Sequence, residues 1–245
     1  MIKLSDFSTR APENLSKSQI KQKSKEIYKK IGELQYILAA QKKHSILVVF
    51  QGMDSSGKDG ATRNVFSETN TGGVTVFSFK KPTEEEFAHD FLWRVHKQTP
   101  SKGMIKVFNR SHYEDVLIQR VHKWIGEKTV DARIEAINAF EQHLVRDNNT
   151  LILKFYLHIS KERQREKLQE RIDLLRKHWK HNPNDWEERK HWDKYMFCYE
   201  DVINRSEIPW HVVPVDQRWY RNYHIAKIVL EHLEKLDLAY PPLED

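Results

Sequence analysis

The chain has 245 residues, of which 39% are hydrophobic and 31% are charged, and this composition predicts a folded protein with a very polar surface. No apolar run approaches the ~18 residues of a transmembrane helix and the N-terminus has no apolar signal core, so we expect neither a membrane protein nor an exported one. Cys198 is the single cysteine, which excludes an internal disulfide framework and favours the cytoplasm. The net charge of +6 indicates a polyanionic partner or simply a basic soluble protein.

The predicted elements alternate between helices and strands. An irregular arm over residues 1–15 is followed by a helix from Ser16, with apolar residues at helical spacing from Ile20 to Leu38. The predicted strands are 45–51, 74–79, 104–108, 151–159 and 211–215. The remaining helices are predicted at 58–68, 83–97, 111–124 and 131–146, with a last one ending at Leu236. The alternation predicts an α/β fold in which helices cover both faces of a parallel sheet and ligands bind at the carboxyl ends of the strands. We expect one domain over residues 1–245, with an N-terminal helical extension over residues 1–44.

Residues 160–205, between the fourth and fifth predicted strands, are predicted to form a helical hairpin broken at Pro183. Each of the two helices is expected to have an apolar stripe. In the first helix the stripe is Leu168, Ile172, Leu175 and Trp179, and in the second it is Trp192, Tyr195, Tyr199 and Val202. The opposite face of the first helix is basic: Arg163, Lys167, Arg171 and Lys180. This face is either solvated or, as its position beside the strand ends favours, part of a mobile lid over a phosphate site.

The segment ILVVFQGMDSSGKDG, residues 46–60, contains the spacing G-x-x-x-x-G-K of a phosphate-binding loop. The loop follows a predicted strand and begins a predicted helix, which is the structural context that the motif requires. Its glycines allow backbone N–H groups to converge on phosphate oxygens, and Lys58 adds a positive charge. The phosphate-binding candidates of this region are Gly52, Ser55, Ser56, Gly57, Lys58, Asp59, Gly60 and Arg63.

Two acidic residues distinguish this loop from the usual form. Asp59 stands where a Ser or Thr hydroxyl would hold magnesium, and Asp54 lies inside the loop. A carboxylate at Asp54 would repel phosphate unless a cation lay between them, and Mg²⁺ takes one or two carboxylates together with phosphate oxygens. Asp54 is therefore the predicted metal ligand, while Asp59 is expected to cap or charge the start of the helix.

The third predicted strand, MIKVFN, is followed by RSHYED. Asn109 occupies the strand end where a metal-binding aspartate would be expected, and Arg110 follows with a guanidinium suited to a transferring phosphoryl group. Glu114 and Asp115 lie one helical turn further on. They either supply the missing charge near a metal or a sugar hydroxyl, or form only the acidic first turn of a helix. Asn109, Glu114 and Asp115 are the nucleotide-binding candidates, and Asp216 is a second strand-end acid.

Further cations are predicted around the same crevice. Lys80 and Lys81 of SFKKPT follow the second strand, so at least one should face the ligand. They join Arg63, Arg110 and the arginines of the 160–205 hairpin, namely Arg163, Arg165 and Arg171. A nucleotide kinase needs some of these cations, whereas a substrate that is a long chain of phosphates would need a whole track of them.

The combination of GMDSSGKDG, SFKKPT and FNRSHYEDVL resembles the second family of polyphosphate kinases, the polyphosphate:nucleotide phosphotransferases. The resemblance extends over roughly residues 15–240 and includes SKERQREKL and PWHVVPVDQRWYRNY. It implies a three-layer α/β/α P-loop kinase fold of the thymidylate-kinase kind with a helical lid. It also implies Mg²⁺-dependent transfer between inorganic polyphosphate and AMP, ADP or ATP, by a homo-oligomer.

The resemblance also implies roles for individual residues. Asp54 matches the family's metal-binding aspartate, and Lys58 and Arg110 match its catalytic cations. The lid arginine falls at Arg163 or Arg165. Asn109 stands where many relatives have Asp, and with HYED this form resembles the third class, which uses nucleoside monophosphates and diphosphates.

Three other functions compete with this one. An ATP-dependent nucleoside or nucleotide kinase would use the same fold and loop. A GTPase switch would require an N-K-x-D motif, which the chain lacks. A nucleic-acid-binding module would present aromatic and basic residues on a surface, whereas the aromatic residues here fall at helical core spacing. We therefore predict a polyphosphate:AMP/ADP phosphotransferase in the cytoplasm, with neither nucleic acid nor membrane as a partner.

Overall fold

A computed structural model describes residues 1–243, and at its centre lies a parallel sheet of five strands in the order β2-β3-β1-β4-β5. The strands are β1 Ser45–Gln51, β2 Val74–Phe77, β3 Ile105–Asn109, β4 Thr150–His158 and β5 Trp210–Pro214. Every residue of the central strand β1 is buried, which explains its unbroken apolar run. Phe50 pairs with Asn109 on one side and with Phe155 on the other, so the carboxyl ends of these strands lie at one edge. The predicted parallel α/β fold is confirmed.

Helices cover both faces of this sheet. They are α1 Lys17–Gln41, α2 Lys58–Val65, α3 Glu84–Ala88, α4 Trp93–His96, α5 Glu114–Val121, α6 Glu127–Asn148, α7 Lys161–Asp173, α8 Asn184–Lys190, α9 Trp192–Arg205 and α10 Arg218–Leu233. The helix α1 packs along α10, and α10 in turn contacts α2. In residues 1–243, no helix is both long and apolar enough to cross a membrane.

The helix predicted over residues 83–97 is wrong in its middle, where the structure has two short helices. Its start is confirmed, because Thr83 and Glu86 form a reciprocal capping box at α3. The chain then leaves the helical conformation at His89, and the Asp90 carboxylate accepts a hydrogen bond from the backbone N–H of Leu92 at 2.9 Å. Asp favours such local turns over helix interiors, which explains the break.

The hairpin predicted over residues 160–205 is only half correct. The first helix ends at Asp173 because Leu174 is extended, and a 3₁₀ turn follows over Leu175–Lys180. Its predicted apolar stripe is therefore wrong beyond Leu168: Ile172, Leu175 and Trp179 are 44%, 82% and 78% exposed. The stripe of the second helix is confirmed, since Trp192, Tyr195, Tyr199 and Val202 of α9 are all buried.

The irregular arm at the N-terminus is attached to residues 200–217 of the C-terminal part of the chain. Leu4 is buried, and its backbone N–H donates to the carboxylate of Glu200 at 2.7 Å. The hydroxyl of Thr9 donates to Asp216 at 2.8 Å, and the N–H of Ala11 donates to the side-chain oxygen of Gln217 at 2.7 Å. The arm thus links α9 to the loop before α10.

Gly32 gives a stability prediction, because a Cβ at this position in α1 would overlap the backbone carbonyl oxygen of Glu68 and lie 2.9 Å from its carbonyl carbon. Gly-to-Ala changes inside helices usually stabilise by about 1 kcal/mol. We expect Gly32→Ala instead to lower the free energy of unfolding by about 1–3 kcal/mol, since backbone must shift. Urea denaturation tests this, with Gly72→Ala as the control because the nearest atom there is 3.6 Å away. Stabilisation by Gly32→Ala would contradict the close packing of α1.

Candidate active site

A cavity of about 1080 Å³ opens at the carboxyl ends of β1, β2 and β3. Its walls come from the loop after β1, the segments after β2 and β3, the 160–190 region and α10. Positive side chains dominate, with twelve against four carboxylates. The cations are Lys21, Lys58, Arg63, Lys80, Arg110, Lys167, Arg171, Arg176, Lys177, Lys180, Arg218 and Arg221, and the acids are Asp54, Asp59, Glu170 and Asp185. Such an excess of positive charge suits a ligand with many negative charges.

The loop after β1 has the conformation of an anion-binding turn. Gly52, Ser55 and Gly57 have φ angles of 148°, 66° and 97°, a region that favours glycine and that turns the backbone N–H groups inward. Gly57 precedes α2 without a side-chain cap, so the first N–H groups of that helix face the cavity unpaired. The hydroxyls of Ser55 and Ser56 are buried without a hydrogen-bond partner, and Ser55 lies on the cavity wall, as expected where a ligand supplies the missing partner.

Lys58 lies at the start of α2, where its ammonium group donates to the carbonyl oxygens of Gly52 at 2.8 Å and Met53 at 3.4 Å. Burial, followed by the neighbouring charge of Arg110, lowers the pKa of Lys58. An incoming phosphate would offset both effects and replace the carbonyl partners. The position of Lys58 is thus that of the lysine of a phosphate-binding loop.

Asp54 and Arg110, predicted from different segments, form an ion pair in the structure. The guanidinium Nη2 lies 2.7 Å from the Asp54 Oδ1, and both side chains are partly exposed to the cavity. Arg110 has a φ angle of 65°, a strained conformation for a non-glycine residue that aims its side chain across the loop. Although burial opposes the charge, Asp54 and Glu114 raise the pKa of Arg110, so it remains a cation.

Asn109 holds the start of α2 in place of the expected acid. Its amide Nδ2 donates to Asp59 Oδ1 at 3.0 Å, and its Oδ1 accepts from the hydroxyl of Thr62 at 3.0 Å. Asp59 therefore lies in the first turn of α2, where a negative charge is favourable, as predicted. The buried Asn109 links β3 to the phosphate loop, and its predicted contact with a nucleotide stays a prediction.

The two adjacent acids of RSHYED lie in different surroundings. Asp115 is buried in an ion pair with Arg94 at 3.0 Å. Neither Asp115 nor Glu114 lines the cavity, and their predicted contact with a nucleotide stays a prediction. Glu114 lies close to Arg110 and Lys58, and burial raises its pKa despite these cations. In the orientation that satisfies both ends of its amide, Gln51 donates to Glu114 Oε1 at 3.1 Å. Only Glu114 of this pair is placed to influence the cations of the site.

The predicted cations divide into those on the cavity wall and those away from it. Lys80, Arg63 and Arg171 line the cavity, and Arg171 is paired with Asp185. The structure does not bring Lys81 or Arg165 to the wall, because both side chains are exposed elsewhere. Arg163 pairs with Glu166 at 2.5 Å and lines a second, adjoining cavity of about 850 Å³.

Two residues of α7 contact the phosphate loop: Gln164, which the sequence analysis did not single out, and Lys167, which it placed only on the basic face of the predicted helix. The Lys167 ammonium donates to the carbonyl oxygen of Ser55 at 3.1 Å, and the Gln164 amide donates to that of Asp54 at 3.1 Å. The helix starts at Ser160, whose hydroxyl accepts from the N–H of Arg163. Counting turns from this cap places 164, 167 and 171 on one face, which is the signal that could have identified them.

Arg221 of α10 is the second residue that was missed. It is only 3% exposed, and its guanidinium occupies the space that side chains at Gly57 and Gly60 would need. Its Nε and Nη2 donate to Asn222 Oδ1 at 3.0 and 2.7 Å, but none of the carboxylates within residues 1–243 lies within 4 Å of it. Burial and the charge of Arg218 lower the pKa of Arg221 to about 10. A buried cation without an acidic partner fits an anionic ligand.

The site offers few protein ligands to a metal ion. Within the described part of the chain, no cluster of three or more His, Cys, Asp or Glu residues could hold a metal. Asp54 is partly exposed at the cavity, and Asp59 lines the cavity from the first turn of α2. The site therefore supplies one or two carboxylate groups. That number fits Mg²⁺ bound mainly through substrate phosphates and water, and does not fit an all-protein metal site.

A glycine loop between a parallel strand and a helix, surrounded by cations, defines this protein as a P-loop enzyme of phosphoryl transfer. The family model for Polyphosphate kinase 2 matches residues 14–240, and the chain belongs to that family. The AMP/ADP-polyphosphate phosphotransferase of Meiothermus ruber is 47% identical over 219 residues, which cover 88% of this chain and 82% of the relative. The ADP-polyphosphate phosphotransferase of Rhodopseudomonas palustris is 41% identical over 227 residues, or 86% and 78% of the two chains.

A solved structure gives the same result for the fold. The crystal structure of Polyphosphate Kinase 2 from Arthrobacter aurescens TC1 superposes with a TM-score of 0.96 at 37% sequence identity. The match covers 100% of this chain and 89% of that one. The fold and the family implied by the sequence motifs are both confirmed.

Proposed function

We propose that this enzyme transfers the terminal phosphoryl group of inorganic polyphosphate to AMP and to ADP, in a reversible reaction. The observation that carries the proposal is the cavity wall, in which twelve cations face four carboxylates around a phosphate loop. A donor with a long series of phosphates accounts for cations that extend from Lys80 to Arg218. The names of the relatives from M. ruber and R. palustris, an AMP/ADP-polyphosphate and an ADP-polyphosphate phosphotransferase, support the same donor and both acceptors.

The reaction needs positioning and charge more than covalent catalysis. A phosphate oxygen of AMP or ADP attacks the terminal phosphorus of polyphosphate, and the bond from that phosphorus to the bridging oxygen breaks. The electron pair remains on the bridging oxygen, which becomes the new end of the shortened chain. The attacking oxygen is already an anion, so no general base is required. Lys58 and Arg110 are placed to neutralise the charge that shifts between the oxygens.

Asp54 is the residue that would hold Mg²⁺ together with phosphate oxygens, and Mg²⁺ supplies charge neutralisation between donor and acceptor when bound. Arg110 competes for the same carboxylate, and a phosphate ligand for Arg110 would release Asp54.

Five features remain predictions of the sequence. They are the single domain with its N-terminal extension, the mobility of the lid, the homo-oligomer, the cytoplasmic location and the absence of nucleic acid as a partner.

The donor is tested by incubating the protein with Mg²⁺, AMP and long-chain polyphosphate without ATP, and separating the nucleotides by chromatography. ADP followed by ATP is the expected result, because both acceptors present a phosphate oxygen to the same loop. Formation of ADP alone would restrict the acceptor to AMP. If no product forms from polyphosphate but ADP forms when ATP is supplied, the enzyme is an ATP-dependent nucleotide kinase.

The low pKa of Lys167 predicts that ligand binding is accompanied by proton uptake. Burial and the charges of Arg221, Arg163 and Arg218 outweigh Asp216 and lower the pKa of Lys167 to about 7, so the free enzyme at pH 8 holds this amine mostly neutral. Phosphate oxygens would raise the pKa, and we expect binding of tripolyphosphate at pH 8 to take up as much as about one proton. Titration calorimetry in buffers of different ionisation enthalpy measures this uptake.

The matched variants for this experiment lie on the same helix. Lys167→Met should abolish the proton uptake, whereas Lys161→Met changes an exposed lysine outside both cavities and should retain it. Equal proton uptake by the two variants would show that another group titrates on binding.

A further inference from the structure

The phosphate loop contains a four-residue turn, residues 53–56, whose backbone conformation does not suit its own sequence. The N–H of Ser56 donates to the carbonyl oxygen of Met53 at 3.1 Å, so Asp54 and Ser55 occupy the two central positions of the turn. Ser55 has a φ angle of 66°, and a turn with a positive φ at its third residue normally has glycine or asparagine there. A serine in this region is strained, and such strain persists only where surrounding contacts hold the backbone in place.

The helix α7 holds the two peptide groups on either side of Ser55. The Gln164 Nε2 donates to the carbonyl oxygen of Asp54 at 3.1 Å, and the Lys167 Nζ donates to that of Ser55 at 3.1 Å. One carbonyl belongs to the peptide group before Ser55 and the other to the peptide group after it. Because peptide groups are planar, the φ and ψ angles of Ser55 alone set the angle between these two carbonyls. Two donors on one face of a helix therefore fix the strained dihedral angles.

The side chain of Gln164 acts on the backbone of the loop and not on a ligand. It is only 1% exposed and lines neither cavity. Its Oε1 accepts a hydrogen bond from the Arg189 Nη1 of α8 at 2.7 Å. A guanidinium has only donors, so it selects the amide orientation in which the oxygen faces α8 and the nitrogen faces Asp54. Arg189 thus determines which end of the amide reaches the phosphate loop.

The start of α7, from which Gln164 projects, is attached to the rest of the fold. The Ser160 N–H donates to the Asp216 Oδ1 at 2.9 Å, and the Ser160 hydroxyl accepts from the N–H of Arg163 at 3.1 Å. The other oxygen of Asp216 accepts from the Thr9 hydroxyl at 2.8 Å. Gln164 therefore lies one turn after a capped and anchored helix start, which allows its single hydrogen bond to constrain the loop.

From this geometry we propose that Gln164 is a positioning residue, which holds the phosphate loop in its ligand-binding conformation through the Asp54 carbonyl. Arg189 sets the orientation of the Gln164 amide for this purpose. A loop in which Ser55 relaxes to a negative φ no longer presents the same groups to phosphate, so the apparent affinity falls by the fraction of molecules that relax. The proposal rests on the proposed function, since it names a residue that prepares the loop for the same polyphosphate donor.

The test measures the dissociation constant of tripolyphosphate by titration calorimetry. Gln164→Met keeps the length of the side chain but removes both hydrogen bonds, and it should raise the dissociation constant about tenfold. The same change is then made in a Ser55→Gly protein, whose own dissociation constant is the reference. Glycine adopts a positive φ without strain, so Gln164→Met should raise the dissociation constant only about twofold in this background. A general loosening of α7 would have the same effect in both backgrounds.

Two matched controls and one further variant complete the experiment. Gln169→Met makes the same change at an exposed position of α7 outside both cavities, and it should leave the dissociation constant unchanged. Arg189→Met frees the Gln164 amide to turn its oxygen toward the loop, and it should raise the dissociation constant about threefold. Lys190→Met removes a charge from the next, exposed position of α8, outside both cavities, and it should have no such effect.

An unchanged dissociation constant in Gln164→Met, with binding by the unaltered protein intact, would overturn the role of Gln164 and leave the proposed function standing. An equal rise in the Ser55→Gly background would also overturn it, because the loss would not then come from the strained turn. If the unaltered protein bound no tripolyphosphate, the donor in the proposed function and the role of Gln164 would both be wrong.

Discussion

Replacing Lys58 with Met is expected to lower kcat for phosphoryl transfer by about 10²–10³-fold, the usual effect of removing one positioned electrostatic group. The Lys58 ammonium already lies at the mouth of the phosphate loop, held by the carbonyl oxygens of Gly52 and Met53. Methionine keeps the unbranched side chain but removes the charge that the transferred phosphoryl group requires. Steady-state kinetics with polyphosphate and ADP measure the loss, and urea denaturation should show a fold that is no less stable.

Lys128→Met is the control for this variant, since it removes a charge from an exposed lysine in the first turn of α6, outside both cavities. Turnover by Lys58→Met above a tenth of the normal value would mean that Arg110, Arg221 and Lys167 carry the charge of the reaction without it.

Replacing Lys154 with Met is expected to lower the free energy of unfolding by about 3–5 kcal/mol, because it leaves a carboxylate buried without its cation. Lys154 of β4 and Glu141 of α6 are both fully buried, with Nζ 2.6 Å from Glu141 Oε2. Lys154 also donates to the Tyr113 hydroxyl at 2.7 Å, and that hydroxyl donates to Glu141 Oε1 at 2.9 Å. Tyr113 belongs to RSHYED, so this network supports the segment that carries Arg110 and Glu114.

The double variant Lys154→Met/Glu141→Leu separates the buried charge from the loss of packing. Removing both charges should restore part of the stability, but only part, because His112 and Tyr113 lose an acceptor. Urea denaturation at neutral pH measures all three proteins. A double variant no more stable than Lys154→Met would show that the ion pair itself is not the source of the loss.

The sheet could be predicted from the sequence because its central strands are buried on both faces. Such strands are unbroken apolar runs, and the runs from Ile46, Met104 and Leu151 identified β1, β3 and β4 to within a residue or two. The phosphate loop was equally clear, since its spacing, the preceding strand and the following helix are all local. The carboxyl ends of parallel strands share one edge, and this rule correctly brought Asp54 and Arg110 together.

What could not be predicted depends on contacts between distant segments. Glu114 and Asp115 are neighbours in sequence, but about 100° of helical rotation separates them, and only the structure shows that Arg94 binds the second one. Arg221 faces the glycine loop because α10 packs beside α2, which no local pattern reveals. The apolar stripe proposed for residues 168–179 failed because one extended residue, Leu174, changed the phase of everything after it.

The attachment of the N-terminal arm bears on how the protein is made. Leu4, Thr9 and Ala11 are synthesised about 200 residues before their partners Glu200, Asp216 and Gln217. At the usual 5–20 residues per second, the arm waits roughly 10 to 40 s before it can bind. These contacts therefore cannot form until most of the chain has been made.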